Sequence, residues 1–288
     1  MGKNALVLGG GGVLGVSWAT GMLVGLAEAG VDAHGADLIV GTSAGSVVGA
    51  QVSVGKTLDE MMAGQTGDEG PVDTPMEFDP ANLMAIFQKW AANTLMTPAA
   101  CAEVGAMAIA SRTPSLERWL ETFAEVADTE WPDRPFTVTA VDAESGRFQT
   151  WDKDSGAPFQ AAVASSCTVP GLFPVVPING KLYMDGGVRS TTNADLASGY
   201  DSVLVIAPIG ARNDGIDPLG KRMSEAEVEA LNSAGTRADL VFPDSGSLEA
   251  MGINRMDRTR QKITAEAGVR QGKALAARIT DAWSKSAV

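Results

Sequence analysis

The first 54 residues alternate two short apolar runs with two helical patterns. Residues 5–8 form the first run, and residues 16–29 repeat their apolar positions with the period of a helix. Residues 37–40 form the second run, which leads into residues 41–45 and a helical pattern that ends near Val54. Two strand and helix units in succession predict a parallel sheet, because parallel strands need such crossover connections.

The remainder of the chain predicts a mixture of helices, strands and turns. Residues 56–80 are rich in Gly, Asp, Pro and Thr, which predicts a mobile connection. Residues 79–125 show a helical pattern with breaks at Pro98 and Pro114. The later predicted elements are strands at 135–141 and 147–151, a helix at 158–165, a hairpin at 175–184, a strand at 202–207, a helix at 224–234, a strand at 238–242 and a helix at 256–283.

Neither an internal repeat nor a sharp change in composition divides the chain. Hydrophobic residues make up 45% and charged residues 20%, which is the balance of a globular protein with a substantial core. We therefore predict one domain over residues 1–288, a three-layer α/β/α sandwich with a mostly parallel central sheet.

The charge balance argues against one class of partner. With 22 basic and 35 acidic residues the net charge is −13, so the average field repels the phosphates of a nucleic acid. Steering by anionic membranes is disfavoured for the same reason, whereas an apolar patch can still dock on lipid. Transient contact with a membrane or lipid droplet stays open, as does the oligomeric state.

Cysteine usage and the N-terminal sequence indicate a cytoplasmic protein. Cys101 and Cys167 are interpreted as thiols, because a chain of this size needs no crosslink. Glycines interrupt the first apolar run before it reaches the length of a signal peptide. No uninterrupted apolar run reaches the ~18 residues of a spanning helix.

Residues 41–45 match the pattern G-x-S-x-G between a predicted strand and a predicted helix. In that context small flanking residues allow a sharp turn that exposes the serine, so Ser43 is a candidate nucleophile. The alternative is that Ser43 only caps the following helix, since serine is a preferred N-cap residue.

A serine nucleophile needs a base, and the sequence offers few. The one histidine, His34, precedes the second strand, so it is expected at the opposite end of the sheet from Ser43, as a surface loop residue. An α/β-hydrolase triad needs a histidine after the acid, and none follows. Asp185, between a predicted strand and two glycines, is the best-placed carboxylate, although such a sequence by itself is typical of a turn.

Residues 9–12, with Gly15, offer successive backbone N–H groups at the start of a helix, which suits a negative oxygen. The same loop fits G-x-G-x-x-G, so dinucleotide binding is an alternative. That alternative expects an acidic residue at the end of the second strand, where this chain has Gly41-Thr-Ser43. A turn that merely opens the helix is the third interpretation.

Residues 9–15, 41–45 and 185–187, in this order, resemble the three sequence blocks of patatin-like lipid acyl hydrolases. Residues 164–174 are similar to a fourth segment of that family. The resemblance implies that Ser43 attacks an ester of a lipid or another acyl donor and that Asp185 accepts its proton. It implies an oxyanion hole made by the backbone N–H groups of Gly10, Gly11, Gly12 and Ala44, and neither a metal nor an organic cofactor.

One residue departs from the family pattern. The family often has a basic residue just before the last glycine of the first block, and this chain has Leu14. A cation there would favour anionic head groups, so its absence favours neutral esters.

The predicted function is a serine-dependent carboxylic ester hydrolase. The alternatives are a transacylase that uses the same acyl enzyme and a catalytically silent lipid-binding module.

Methionine and other apolar residues are concentrated between residues 56 and 110. Because methionine adapts to irregular apolar ligands, a helical lid or acyl-chain wall at about residues 56–127 is one hypothesis. Ordinary core packing of helices is the other. The residues concerned are Met61, Met62, Met76, Phe78, Leu83, Met84, Ile86, Phe87, Trp90, Leu95, Met96 and Met107.

Overall fold

Eight strands form one mixed sheet in the computed structural model, which describes residues 2–67, 79–92, 96–212 and 217–283. The sheet order is β5-β6-β3-β2-β1-β7-β8, and β4 pairs with β3. The strands are β1 (Asn4–Leu8), β2 (Leu38–Gly41), β3 (Phe136–Asp142), β4 (Phe148–Trp151), β5 (Val176–Ile178), β6 (Lys181–Asp185), β7 (Ser202–Ile206) and β8 (Arg237–Val241).

Ten helices accompany the sheet in the described parts of the chain. None of these helices is long and apolar enough to cross a membrane. They are α1 (Gly12–Glu28), α2 (Ala44–Ser53), α3 (Leu58–Thr66), α4 (Pro80–Ala92), α5 (Pro98–Ile109), α6 (Leu116–Glu121), α7 (Phe159–Ser166), α8 (Asp217–Ser233), α9 (Ser245–Met251) and α10 (Gln261–Trp283).

The predicted three-layer architecture is confirmed. Strands β3, β2, β1, β7 and β8 run parallel, and apolar clusters cover both faces of this sheet. In β1, Leu6 and Leu8 pack into the larger cluster, with α1 and α2, while Ala5 and Val7 pack into a second cluster on the other face. This division follows from the alternation of side chains along a strand. Strands buried on both faces need continuous apolar runs, as in the sequence of β1.

Strands β2 and β6 share one edge of β3 and meet end to end. Residues 39–41 of β2 pair in parallel with residues 136–138, whereas β6 pairs antiparallel with residues 140–142. The β4 pairing covers residues 138–141 and overlaps both, so β4 occupies the opposite edge. The carboxyl ends of β2 and β6 therefore approach each other beside Thr139, and the residues that follow each strand come together.

Helices α1 and α10 pack at very short range through glycines. A Cβ added to Gly21 would collide with the carbonyl oxygen of Ala265, and one added to Gly25 with that of Val269. Gly268 and Gly272 face α1 in the same way from α10. Side chains at these positions would force the helices apart, so the close crossing depends on glycine. It holds α1, whose first turn borders the candidate site, against the C-terminal helix.

Several predicted boundaries were wrong. Helix α3 lies in the predicted connection at 56–80, where Thr57 and Glu60 form a reciprocal capping box. Helix α9 was not predicted, and α8 begins at Asp217 instead of 224. Helix α1 begins at Gly12, earlier than the predicted 16. Residues 68–78 of the predicted connection, including Met76 and Phe78, and also Leu95, lie outside the described residues.

We predict that Gly25→Ala lowers the free energy of unfolding by roughly 1–3 kcal/mol, the usual cost of overpacking. The added methyl group meets the backbone of α10, which cannot move without displacing the whole helix. Gly64→Ala in α3 is the matched control, because a Cβ there meets nothing within 4 Å. It should stabilise the protein by up to about 1 kcal/mol through helix propensity. Urea denaturation measures both, and equal effects would contradict the proposed close packing.

Candidate active site

Ser43 occupies a sharp turn between β2 and α2. Its φ of 53° and ψ of −119° put a non-glycine residue in a strained backbone region. The turn depends on glycine on both sides: a Cβ at Gly41 would lie 2.6 Å from Ser46 Cα, and one at Gly45 would collide with Leu8 O. Two hydrogen bonds brace it, from Ser43 N to Ser166 Oγ at 2.9 Å and from Ser46 Oγ to Ser43 O at 2.7 Å. This is the geometry that exposes a nucleophile above a sheet.

Asp185 ends β6 and borders the same cavity as Ser43. The Gly187 N–H donates to Asp185 Oδ1 at 2.7 Å, and the Asp185 N–H donates to Thr168 O at 3.0 Å. Burial raises the pKa of the Asp185 carboxyl to about 7, although the Gly187 N–H and the Ser43 hydroxyl both lower it. The carboxyl group is thus next to Ser43 and exchanges its proton near neutral pH.

The glycine loop between β1 and α1 passes directly over Ser43. A Cβ at Gly10 would lie 3.3 Å from Ser43 Cβ, so the loop can approach the serine only as bare backbone. The Gly10 N–H, however, donates to Thr191 O at 2.9 Å. Because this N–H is already engaged, Gly10 is not among the predicted donors whose N–H groups remain available.

The other three predicted donors keep their N–H groups available. Among the described residues, the N–H groups of Gly11, Gly12 and Ala44 make no backbone hydrogen bond. Gly12 and Ala44 open α1 and α2, so both belong to helix N-termini, where negative charge is stabilised. Gly12 must be glycine, since its φ is +65° and a Cβ would lie 3.0 Å from Met256 Sδ.

A polar network that sequence reasoning missed connects the two candidate residues. Asn193 Nδ2 donates to Ser190 O at 2.8 Å, to Thr42 Oγ1 at 3.0 Å and to Gly186 O at 3.3 Å. One buried amide thereby joins the residue before Ser43 to the residue after Asp185. Thr42 Oγ1 also lies 2.8 Å from Thr139 Oγ1, at the meeting point of β2 and β6. The signal available in the sequence was Asn193, eight positions after Asp185 in a polar segment.

The cavity around Ser43 and Asp185 has a volume of about 320 Å³ and mostly apolar walls. Helix α4 contributes Ile86, Phe87 and Trp90, and α5 contributes Val104. The Trp90 Nε1–H donates to Val188 O at 2.9 Å, which ties α4 to the segment that follows Asp185. A cavity of this size and lining suits an apolar ligand with few polar groups.

Residues 253–256, which the sequence analysis did not assign to the site, form a further wall of this cavity. Arg255 is its cation, and its guanidinium forms an ion pair with the buried Asp217. The Arg255 carbonyl accepts the Leu14 N–H at 3.0 Å, so the segment rests on the first turn of α1. Leu14 itself is buried and replaces the family's basic residue with a core side chain.

The methionines of the predicted lid or acyl-chain wall that the structure describes lie away from the cavity. Met61 is buried in the main core, Met96 and Met107 pack in a smaller apolar cluster, and Met84 is exposed. Met62 is partly buried, and none of these five borders the cavity. The aromatic and aliphatic residues of α4 form the wall because they occupy the inner face of that helix.

The remaining chemistry-bearing residues lie where they were predicted. His34 lies before β2, at the opposite end of that strand from Ser43, and its Nδ1 is 3.1 Å from Asp32 Oδ1. Cys101 and Cys167 are both free thiols and buried, as expected. Burial raises the pKa of the Cys167 thiol, whose Sγ lies 3.3 Å from Ser43 O. Both residues therefore lack the features of a catalytic group.

Comparison with known proteins shows which family this chain matches. The model of the family described as Patatin-like phospholipase matches residues 6–198, more than half of the chain. Among solved structures, VipD from Legionella pneumophila is similar over 96% of this chain and 67% of that chain, with 12% sequence identity and a TM-score of 0.49. No curated protein matches the sequence.

We predict that Asp185→Asn stabilises the protein at about pH 8 but not at about pH 4. Between an unfolded-state pKa near 4 and the folded value of about 7, the folded protein holds a proton that the unfolded chain has lost. Stability therefore falls as pH rises through this window. Removing the titrating group should restore up to a few kcal/mol above it, at about 1.4 kcal/mol per pKa unit.

Thermal denaturation of wild type and variant across this pH range measures the effect. Asp142→Asn is a control for which the opposite pH dependence is expected. Burial alone would raise the pKa of the Asp142 carboxyl, but hydrogen bonds that include those from the Ser145 and Glu144 N–H groups outweigh burial, so its pKa is lowered. That variant should lose stability above about pH 5, where the native carboxylate is charged. A wild-type protein whose stability rises from about pH 4 to pH 8 relative to Asp185→Asn would refute the buried-acid assignment.

Proposed function

This chain belongs to the patatin-like phospholipase family, and we propose that it is a serine-dependent hydrolase of carboxylic esters of lipids. The family membership supports lipid acyl hydrolysis in general. The residue roles rest on one observation: Ser43, on a strained turn, shares an apolar cavity with a buried carboxyl group that titrates near neutral pH.

In the proposed reaction Ser43 and Asp185 act as a dyad. The charged Asp185 takes the proton from the Ser43 hydroxyl as Oγ attacks the ester carbonyl carbon. The tetrahedral intermediate then collapses, and the protonated Asp185 gives its proton to the departing alcohol. Water repeats the sequence on the acyl enzyme, with Asp185 as base and then as acid, and releases the fatty acid and free serine. A base with a pKa near the working pH is suited to both roles.

The backbone N–H groups of Gly11, Gly12 and Ala44 stabilise the oxyanion of each tetrahedral intermediate. Ala44 follows Ser43 in the chain, and Gly11 and Gly12 line the same cavity as Ser43. Gly12 and Ala44 belong to helix N-termini, whose partial positive charge stabilises a negative oxygen. Gly10 supports this arrangement through its bond to Thr191 O without donating to the oxyanion. Backbone donors of this kind are fixed before substrate binds, so they need no reorganisation during the reaction.

The acyl chain occupies the apolar part of the cavity in this proposal. Phe87 and Trp90 of α4, with Leu172 and Val188, provide the surface that a hydrocarbon chain needs. The helical segment around α4 and α5 is therefore an acyl-chain wall within a single domain. It contacts the segment after Asp185 through Trp90 and thus borders both the substrate and the catalytic carboxylate.

We predict that a fluorophosphonate probe labels the wild-type protein at Ser43. Ser43→Ala should abolish labelling, and Asp185→Asn should slow it by at least about 100-fold, the lower range for loss of a general base. The wild-type labelling rate should rise with pH through about 7, because only the charged Asp185 accepts a proton.

Ser53→Ala is the matched control. Ser53 is a buried serine at the C-terminal end of α2, the helix that begins directly after Ser43. It should be labelled at the wild-type rate. Intact-mass spectrometry of the labelled proteins, with thermal denaturation to confirm folding, reads out the series. Labelling that persists in Ser43→Ala would exclude Ser43 as the nucleophile.

We predict that Phe87→Ser lowers kcat/KM for long-chain esters much more than for acetate esters. Removing a large aromatic surface from the acyl-chain wall costs about 1–3 kcal/mol of chain binding, or roughly 5- to 150-fold. The control is Gln88→Ala, the exposed neighbour on α4, which should leave both substrates unaffected. An ester panel of increasing chain length measures the ratio, and equal losses at every length would place the acyl chain elsewhere.

A further inference from the structure

Ile253 is a large apolar side chain that is 95% exposed, and it stands at the rim of the cavity that holds Ser43 and Asp185. Exposure to that degree leaves almost the whole side chain in water, which is unfavourable for an isoleucine. Single exposed apolar residues are common on proteins and need no explanation by themselves. Two features set Ile253 apart: it borders the cavity, and the segment that carries it is held in a fixed position.

The segment that presents Ile253 is held in place by several contacts. The Arg212 Nη1–H donates to Ile253 O at 3.1 Å, and the Leu14 N–H donates to Arg255 O at 3.0 Å. The guanidinium of Arg255 forms an ion pair with Asp217, whose side chain is fully buried. Asp217 Oδ2 in turn accepts backbone N–H groups that include that of Arg212, at 2.8 Å. Ile253 is therefore displayed on a supported loop next to the glycine turn.

Among the exposed large apolar residues that the structure describes, only Ile253 borders the cavity. Met84 is 57% exposed on α4 and lies two positions before Ile86, so it occupies a different face of that helix from the cavity-lining Ile86. The large hydrophobic residues that are exposed in the described parts of the chain are Val54, Met84, Ile109, Ile253 and Ile263.

The local charge around Ile253 differs from that of the whole protein. The chain carries −13 overall, but residues 253–262 contain Arg258, Arg260 and Lys262 against the single acid Asp257, while the charge of Arg255 is offset by its ion pair with Asp217. Arg258 and Lys262 are exposed. Cations near an apolar anchor suit a surface of phosphate head groups. The overall negative charge of the protein opposes attraction to a membrane with net negative charge. A surface of zwitterionic phospholipids, which carries phosphates but no net charge, is therefore the better match.

We propose that the cavity rim around Ile253 docks the protein on a zwitterionic phospholipid surface, with Ile253 inserted among the acyl chains. The inference rests on the proposed function, because it gives a lipid ester a route from the surface to Ser43. With Ile253 inserted, the apolar cavity opens toward the hydrocarbon region, and an acyl chain enters it without exposure to water.

The test measures binding of the Ser43→Ala protein to phosphatidylcholine vesicles by flotation, so that turnover does not alter the lipid. Adding Ile253→Ser should reduce the partition coefficient about tenfold or more, the equivalent of losing one buried isoleucine side chain. Ile253→Phe should retain or increase it. Ile263→Ser is the matched control, since Ile263 is 43% exposed on α10 and does not border the cavity. It should bind as the parent does.

Several results would overturn the proposal. Equal binding by Ile253→Ser and Ile263→Ser removes Ile253 as the anchor. Binding that requires anionic lipid and disappears in high salt assigns the contact to charge. A change from dimer to monomer on Ile253→Ser in sedimentation, with unchanged vesicle binding, assigns the surface to a second copy of the chain.

The docking proposal and the proposed function fail separately. Fluorophosphonate labelling of Ser43 without Ile253-dependent vesicle binding refutes docking alone. Ile253-dependent binding without labelling refutes the hydrolase alone and supports a lipid-binding module. Thermal denaturation shows whether each variant is folded, and the gain or retention of binding by Ile253→Phe cannot arise from unfolding.

Discussion

The meeting of β2 and β6 on one edge of β3 is the constraint on which the candidate site depends. One strand arrives in parallel and the other antiparallel, so their carboxyl ends point at each other beside Thr139. Each strand is followed at once by a tight turn: Ser43 lies in the turn after β2, and Asp185 is the last residue of β6 before its turn. Because both side chains sit on short extensions of sheet strands, rigid elements set their spacing, as precise chemistry requires.

The burial of Asp185 links stability to the proposed reaction. A carboxylate without a cationic partner is costly in an apolar cavity, and the raised pKa expresses that cost. The hydrogen bond from the Gly187 N–H and the nearby Ser43 hydroxyl recover only part of it. The remaining cost is offset by the stability of the surrounding fold. The Asn193 amide contributes by holding the turn after β2, through Thr42, and the turn after β6, through Gly186. Such a residue makes physical sense where a poised base is needed, since sites of chemistry often trade stability for reactivity.

The wall of the cavity is assembled from distant parts of the chain. Helices α4 and α5 supply one side, and the loop around Arg255 supplies another from the far end of the sequence. The same loop rests on the first turn of α1, so the proposed oxyanion donors and the proposed lipid anchor belong to one packed unit. The loop that carries the proposed lipid anchor is thus in direct contact with the turn that carries the proposed oxyanion donors.

The sequence by itself determined the local geometry of the turn at Ser43 and suggested the candidate chemistry of the site. Gly41 and Gly45 had to be glycine because backbone atoms fill the space of a Cβ, and that requirement is visible as a motif. The lack of a suitably placed histidine pointed to Asp185. Helix α3 was also readable, since Thr57 and Glu60 form a capping box, but the glycine and proline content of residues 56–80 obscured it.

Only the tertiary structure decided which groups meet and which remain available. The pairing of β6 with β3, the commitment of the Gly10 N–H to Thr191 O, and the placement of Ile253 and Arg255 at the cavity all join residues far apart in the chain. Local pattern reports the preferences of neighbouring residues, whereas these contacts arise from long-range packing. A motif therefore suggested the candidate donors, and only the folded backbone showed that the N–H of one of them, Gly10, already donates to Thr191 O.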